Sequence, residues 1–183
     1  MNKIPAVPAF TSPRLIDDLL APWQEALGTA LPAYRNHAHR IFHLSRAFHQ
    51  QASAESDRQI AVAAVFHDLG IWSHGTFDYL EPSADLATAW LEQEGHAGSV
   101  DMVRAMILDH HRIRQVTPDL VEAFRRADWT DVSQGHLRFG LERSLYQALK
   151  AQYPYLGFHA LLVRLTGKQL REHPRNPLPM LRW

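Results

Sequence analysis

Residues 60–70, Ile60 to Gly70, read IAVAAVFHDLG, and the fold turns on this stretch. It is apolar on every side through Val65, which predicts a helix with no solvent face, running through the middle of the protein. Its last turn carries an imidazole and a carboxylate, His67 and Asp68, into the interior, and Gly70 is expected as a left-handed stop. A charged Asp at that depth is costly unless a cation or a strong donor meets it. A metal ion would do so, and so would a His-Asp hydrogen bond that closes a buried helix end.

Upstream, a helix is predicted over residues 33–51. On a wheel of about 100° per residue centred on Ile41, Tyr34, His37, Ala38, Leu44, Ser45 and Phe48 fall within about 60°. His37 therefore faces inward. His39 and His43 lie nearly opposite with Arg46 and Gln50, which predicts surface histidines despite their metal-like i, i+4 spacing. Arg40, on the neighbouring edge, could hold a carboxylate or a substrate oxyanion.

Downstream, IWSHGTFDYLEP (71–82) reads as a loop at the mouth of the site. His74 within it is expected to be an exposed loop histidine, with a ligand or proton-shuttle role as the sharper reading. Ser83 is predicted to N-cap a helix running to about Glu94. The next helix, Ser99 to about His111, has an apolar stripe of Val100, Val103, Met106 and Ile107 that His110 continues, so His110 points inward with His111 beside it. A helix from Thr117 to about Gln134 turns Leu120, Ala123, Phe124 and Ala127 inward, with Asp128 and Asp131 on or next to that face. Periodicity slightly prefers Asp131 as the deeper one and does not choose a ligand.

The remaining segments are an extended arm, Met1 to Ser12; a helical stretch, Arg14 to Leu27, broken at Pro22; a turn over 135–140; and helices over about 142–152 and 155–172. The Pro-broken tail PRNPLPMLRW is expected to pack over the surface or a neighbour, leaving room for a homo-oligomer. With no sustained strand alternation, no phosphate-cradling glycine loop and no serine elbow, the fold class is an all-α bundle. One domain over 1–183 is expected, its core at 33–134.

Lys+Arg and Asp+Glu balance at 19 each, so no charge excess argues for nucleic acid or an anionic membrane surface, and a small-molecule substrate is expected. With no cysteine, any metal must be held by His, Asp and Glu. No segment has the length of a membrane span and the N-terminus does not read as a signal peptide, so a cytoplasmic protein is expected.

His37, then His67-Asp68, then Asp128, each at the inner face or end of its own helix, resembles the HD-domain superfamily of metal-dependent phosphohydrolases. NHAHRIF around His37, VFHDLGIW around the pair and FRRADWTD around Asp128 are similar to the small single-domain bacterial HD hydrolases, including those grouped with the cyanamide hydratases. The match covers roughly Tyr34 to Val132. The resemblance implies an HD-type helical bundle in which His37, His67, Asp68 and Asp128 bind one divalent metal, with Asp131 supporting the ligands or touching substrate. Such N/O ligands suit Mn, Fe, Ni, Co or Zn.

The reaction it implies is hydrolysis by metal-activated water, with Asp68 orienting the water or taking its proton and with His110, His111 and Arg40 facing the charge that develops on the substrate. A phosphate ester or nucleotide is the default substrate class, and a nitrile-like molecule is the non-phosphate alternative. Dinuclear relatives, such as the di-iron oxygenases, need a further histidine where this chain has Glu81-Pro82, which weighs against a second metal unless Glu81 supplies an oxygen. A non-catalytic sensor with a structural ion is the third class.

Overall fold

The computed structural model describes residues 10–176 and 178–181. They form an all-α bundle with no strand among them. In chain order the helices are α1 (Leu15–Leu20), α2 (Gln24–Leu27), α3 (Leu31–Phe48), α4 (Ala54–Phe66), α5 (Gly70–Ser73), α6 (Leu80–Gln93), α7 (Val100–Asp109), α8 (Asp119–Val132), α9 (Arg143–Gln152) and α10 (Phe158–Glu172). Among the described residues, no helix is long and apolar enough to cross a membrane.

The central helix is α4. Ser53 starts it with a capping box, its Oγ accepting from Ser56 N–H at 3.0 Å while Ser56 Oγ accepts from Ser53 N–H at 2.9 Å. Glu55 and Asp57 place negative charge in its first turn, where the helix dipole favours it. From Ile60 through Phe66 every side chain is buried, and α1, α3, α6 and α7 all pack against this helix. Each of the larger aliphatic side chains contributes roughly 1.5–3 kcal/mol by leaving water. Against α3 packs α8, which brings His37 to the side of the core that α8 lines.

Several local expectations are corrected. Gly70 is not a left-handed stop: it opens α5, and a Cβ there would stand 2.7 Å from the Tyr79 carbonyl oxygen and 2.9 Å from Ser83 Oγ. Close packing is therefore what demands a glycine. Ser83 is not a helix cap. Pro82 fits within the first turn of a helix, so α6 begins earlier, at Leu80, and buried Ser83 Oγ instead accepts from Gly70 N–H at 2.9 Å.

His39 and His43 are not surface residues either. His39 is buried beside Asp17 of α1, at 3.2 Å, and stacks on Tyr153; half-buried His43 bonds Ser12 Oγ at 2.8 Å. The N-terminal segment, α1 and the end of α9 cover that face of α3, an arrangement no single-helix wheel contains. Pro22 sits in a 3₁₀ turn between α1 and α2, as its break of the pattern implied. Met1 to Ala9 of the arm, and Pro177, Arg182 and Trp183 of the tail, lie outside the described residues. Met180 of the tail packs with Ile71, Phe77, Tyr79 and Leu80.

Candidate metal centre

Four helix ends and faces deliver the polar side chains of the interior. His37 comes from the middle of α3, His67 and Asp68 from the residues just after α4, His110 and His111 from the end of α7, and Asp128 and Asp131 from α8. His37, His67 and His110 are fully buried, Asp131 likewise, and Asp68 and Asp128 nearly so.

Hydrogen bonds decide which atoms of this set face one another. His37 Nδ1–H donates to Asp131 Oδ2 at 2.7 Å, His67 Nδ1–H to the Ala64 carbonyl at 3.0 Å, and His110 Nδ1–H to the Ile107 carbonyl at 2.7 Å. In a neutral imidazole the other nitrogen is then a bare lone pair. In those neutral forms all three Nε2 atoms reach the cluster as acceptors, the state a metal ion requires, whereas the neighbouring carboxylates favour a proton on His67 until a cation replaces it. His37 Nε2 and His67 Nε2 are 3.1 Å apart; Asp68 Oδ2 lies 3.3 Å from His67 Nε2 and 3.9 Å from His37 Nε2; Asp128 Oδ1 lies 3.8 and 3.9 Å from His37 Nε2 and His67 Nε2. Around metal–ligand bonds of about 2.1 Å, neighbouring donor atoms stand about 3.0 Å apart in an octahedron and about 3.4 Å apart in a tetrahedron. Asp68 Oδ1 and His110 Nε2 face each other at 3.5 Å without a well-formed hydrogen bond, and Asp128 Oδ1 has none either. Buried acceptors left together in this way call for a cation.

Among the described residues three compact, overlapping triads have ligand atoms close enough to share a metal ion: His37, His67 and Asp128; His67, Asp68 and His110; and His110, His111 and Asp128. Of the four expected ligands, Asp128 thus groups with both α3 and α4 histidines, whereas Asp68 groups with His67 and His110. Electrostatics agree that positive charge belongs here. Burial opposes it, yet Asp68 and Asp128 push the His67 imidazole up to about 9. Burial takes His37 down to about 4 against the pull of Asp131. Asp68, although buried, is held well below the usual carboxylate range by His67 and His110. Burial pushes Asp128 up to about 6, with Asp68 and Asp131 adding to the rise and His110 and His67 opposing it.

Around this centre stand the supporting groups. Arg40 does not face the site: fully buried, it clamps Asp131 through Nε and Nη2 at 2.7 and 2.9 Å, and Asp131 in turn orients His37. Carboxylate-braced histidines of this kind are the usual outer support of metal ligands. His111 Nδ1 lies 3.5 Å from Asp128 Oδ2, and its Nε2 accepts from Tyr79 O–H at 2.8 Å. Burial, with Asp68 next in weight, pushes the Tyr79 phenol well above its ordinary value, which keeps it a donor. Nε2 of His111 is therefore committed to Tyr79, and its Nδ1 faces Asp128.

The other two loop residues singled out from sequence lie elsewhere. His74 is exposed and bonds Ser73 Oγ at 2.9 Å; exposed Glu81 pairs with Arg104 at 3.0 Å. A helix that begins at Leu80 turns Glu81 outward and leaves Tyr79 as the loop's inward polar group. Sequence reasoning missed Tyr79, and Phe158, whose ring stacks on His37 at 4.1 Å. Tyr79 carried no signal, because it sits in an aperiodic loop; periodicity did turn Phe158 inward, as found, but the motifs do not reach its helix and gave it no link to His37.

Asp68, Asp128 and His111 open onto a cavity of about 210 Å³ whose other walls include Ile71, Phe77 and Leu162. The imidazoles of His37 and His67 are fully buried and do not line it. No protein-family model matches the chain, nor does any curated protein or solved structure.

Proposed function

We propose that this protein is a metal-dependent hydrolase acting on a small molecule. The observation that carries the reading is the convergence of His37 Nε2, His67 Nε2, Asp68 Oδ2 and Asp128 Oδ1, with no donor hydrogen among the neutral forms, at the wall of a cavity. His37, His67 and Asp128 would hold a divalent ion, with Asp68 completing the set. Once bound, the ion would supply an acidified water, the reagent that hydrolysis needs near neutral pH.

The protein's own groups then have distinct tasks. Asp68 stands between the cluster and the cavity, where its carboxylate can orient a water and accept its proton. The Tyr79–His111 pair presents a hydrogen-bonded donor chain at the same wall. Asp131 and Arg40 keep His37 in its working tautomer. The order of His37, His67-Asp68 and Asp128 along the chain, and the resemblance it carries to HD-type hydrolases, supports this reading over a merely structural ion.

Elemental analysis of protein purified without chelator tests it. The expected result is about one transition metal per chain, lost in His67→Ala, with Asp68→Ala keeping the fold and losing hydrolysis by at least about 100-fold. No metal after supplementation would sink the proposal. Two per chain would point instead to a second ion on His110.

A further inference from the structure

We propose that the cavity beside the cluster takes a neutral carbonyl compound with an apolar body, a carboxylic ester or amide, rather than a phosphate ester. This rests on the hydrolase reading and names its substrate class. The apolar walls include Ile71, Phe77, Trp129, Val132, Leu162 and Met180, with Tyr79, His111 and Thr166 as neutral polar lining, and the only charged side chains among the described lining residues are Asp68 and Asp128. No Lys or Arg is among them. Four arginines of α3, α7 and α8 are engaged elsewhere: Arg40 with Asp131, Arg125 and Arg126 with Glu122, and Arg104 with Glu81 and Asp85.

Charge decides between the two classes. Proteins that hold phosphate dianions do so with guanidinium forks, ammonium groups or clustered backbone N–H donors. Among the described lining residues two carboxylates would balance a divalent ion and leave no positive charge over for a dianion. A neutral carbonyl meets no such deficit. Trp129 of the wall adds a large apolar ring to the lining, and its buried indole N–H has no partner. At about 210 Å³ the cavity is smaller than the roughly 300 Å³ where drug-sized pockets begin, so a substrate body of about one ring fits it. In the reaction the water oxygen bonds to the carbonyl carbon and the acyl C–O or C–N bond breaks. The proton that water gives up passes by way of Asp68 to the leaving alcohol or amine, and no oxidant or reductant is required.

Benzamide and phenyl phosphate, one ring carrying either a neutral amide or a dianion, discriminate by calorimetric titration into the full-length metal-loaded protein. Benzamide is expected to bind at least about 10-fold tighter, and Val132→Lys, at a partly exposed wall position, to narrow or reverse that preference with metal content unchanged. Phenyl phosphate binding as tightly in the unaltered protein, or no detectable benzamide binding, overturns the substrate class. Metal analysis of the same samples separates the two readings. One metal per chain with phosphate preferred leaves the hydrolase standing and removes the ester or amide, whereas no metal with benzamide preferred does the reverse.

Discussion

His37 and Asp131 are joined by a 2.7 Å hydrogen bond although 94 residues separate them, and the same carboxylate receives the fork of Arg40. All three side chains are fully buried, so the charges of Asp131 and Arg40 depend on each other. Asp131→Asn leaves the guanidinium buried without its counter-charge and should destabilise the fold by about 3–5 kcal/mol in urea unfolding. It should also weaken metal binding by about 10–100-fold, because His37 loses its brace. Unchanged metal affinity in a folded Asp131→Asn protein would show that His37 needs no such support.

Gly70 meets the Tyr79 carbonyl oxygen and Ser83 Oγ so closely that a methyl group has no room. Gly70→Ala should lower stability by about 1–3 kcal/mol through forced movement of the α5–α6 corner. Gly98→Ala, where nothing lies within 4 Å of the added Cβ, serves as the control and should change stability little. Equal thermal midpoints for the two variants would contradict the close approach.

Ser83→Ala probes the other half of that corner. It removes the acceptor of the Gly70 N–H inside the core and should cost about 1–3 kcal/mol. Were Ser83 a solvent-exposed cap, threonine would restore it; in a buried position, Ser83→Thr should remain destabilised by its extra methyl. Full recovery in the threonine variant, measured by thermal melts, would argue against the buried role.

His43 links stability to pH. Burial, with His39 and Arg46 nearby, pushes its imidazole down to about 4 from an ordinary value of 6.5. The folded state thus resists a proton that the unfolded chain accepts readily. Stability from this group is complete above about pH 6.5 and is lost as pH falls from there to about 4, below which both states are protonated. Melting temperatures of His43→Gln should fall less over that window than those of the unaltered protein. Parallel curves would mean that another group governs the acid limb.

Chelation gives a separate reading of the centre. An ion bound only by the native state adds stability by mass action, about 2.7 kcal/mol when free metal is 100-fold above its dissociation constant. EDTA should therefore lower the melting temperature of the native sequence and leave that of His67→Ala unmoved. An identical drop in both would place the ion elsewhere.

From the sequence alone came the all-α architecture, the buried central helix and the inward direction of His37, His67 and His110, because hydrophobic periodicity is a local property that any folded context must respect. Tertiary structure alone decided what those residues meet. The wheel put His39 and His43 in solvent since it contains no α1 or Tyr153, and it could not weigh Asp128 against Asp131, which share a helix face and part only in their partners: Asp128 turns to the cluster and the cavity, Asp131 to His37 and Arg40. Glu81 and His74 drew notice as polar residues in the mouth loop, but the start of α6 at Leu80 sends Glu81 to Arg104 and leaves Tyr79 to reach His111. Spacing along one element fixes which way a side chain faces; the atoms waiting there belong to segments tens of residues away, and only the packed chain brings them into range.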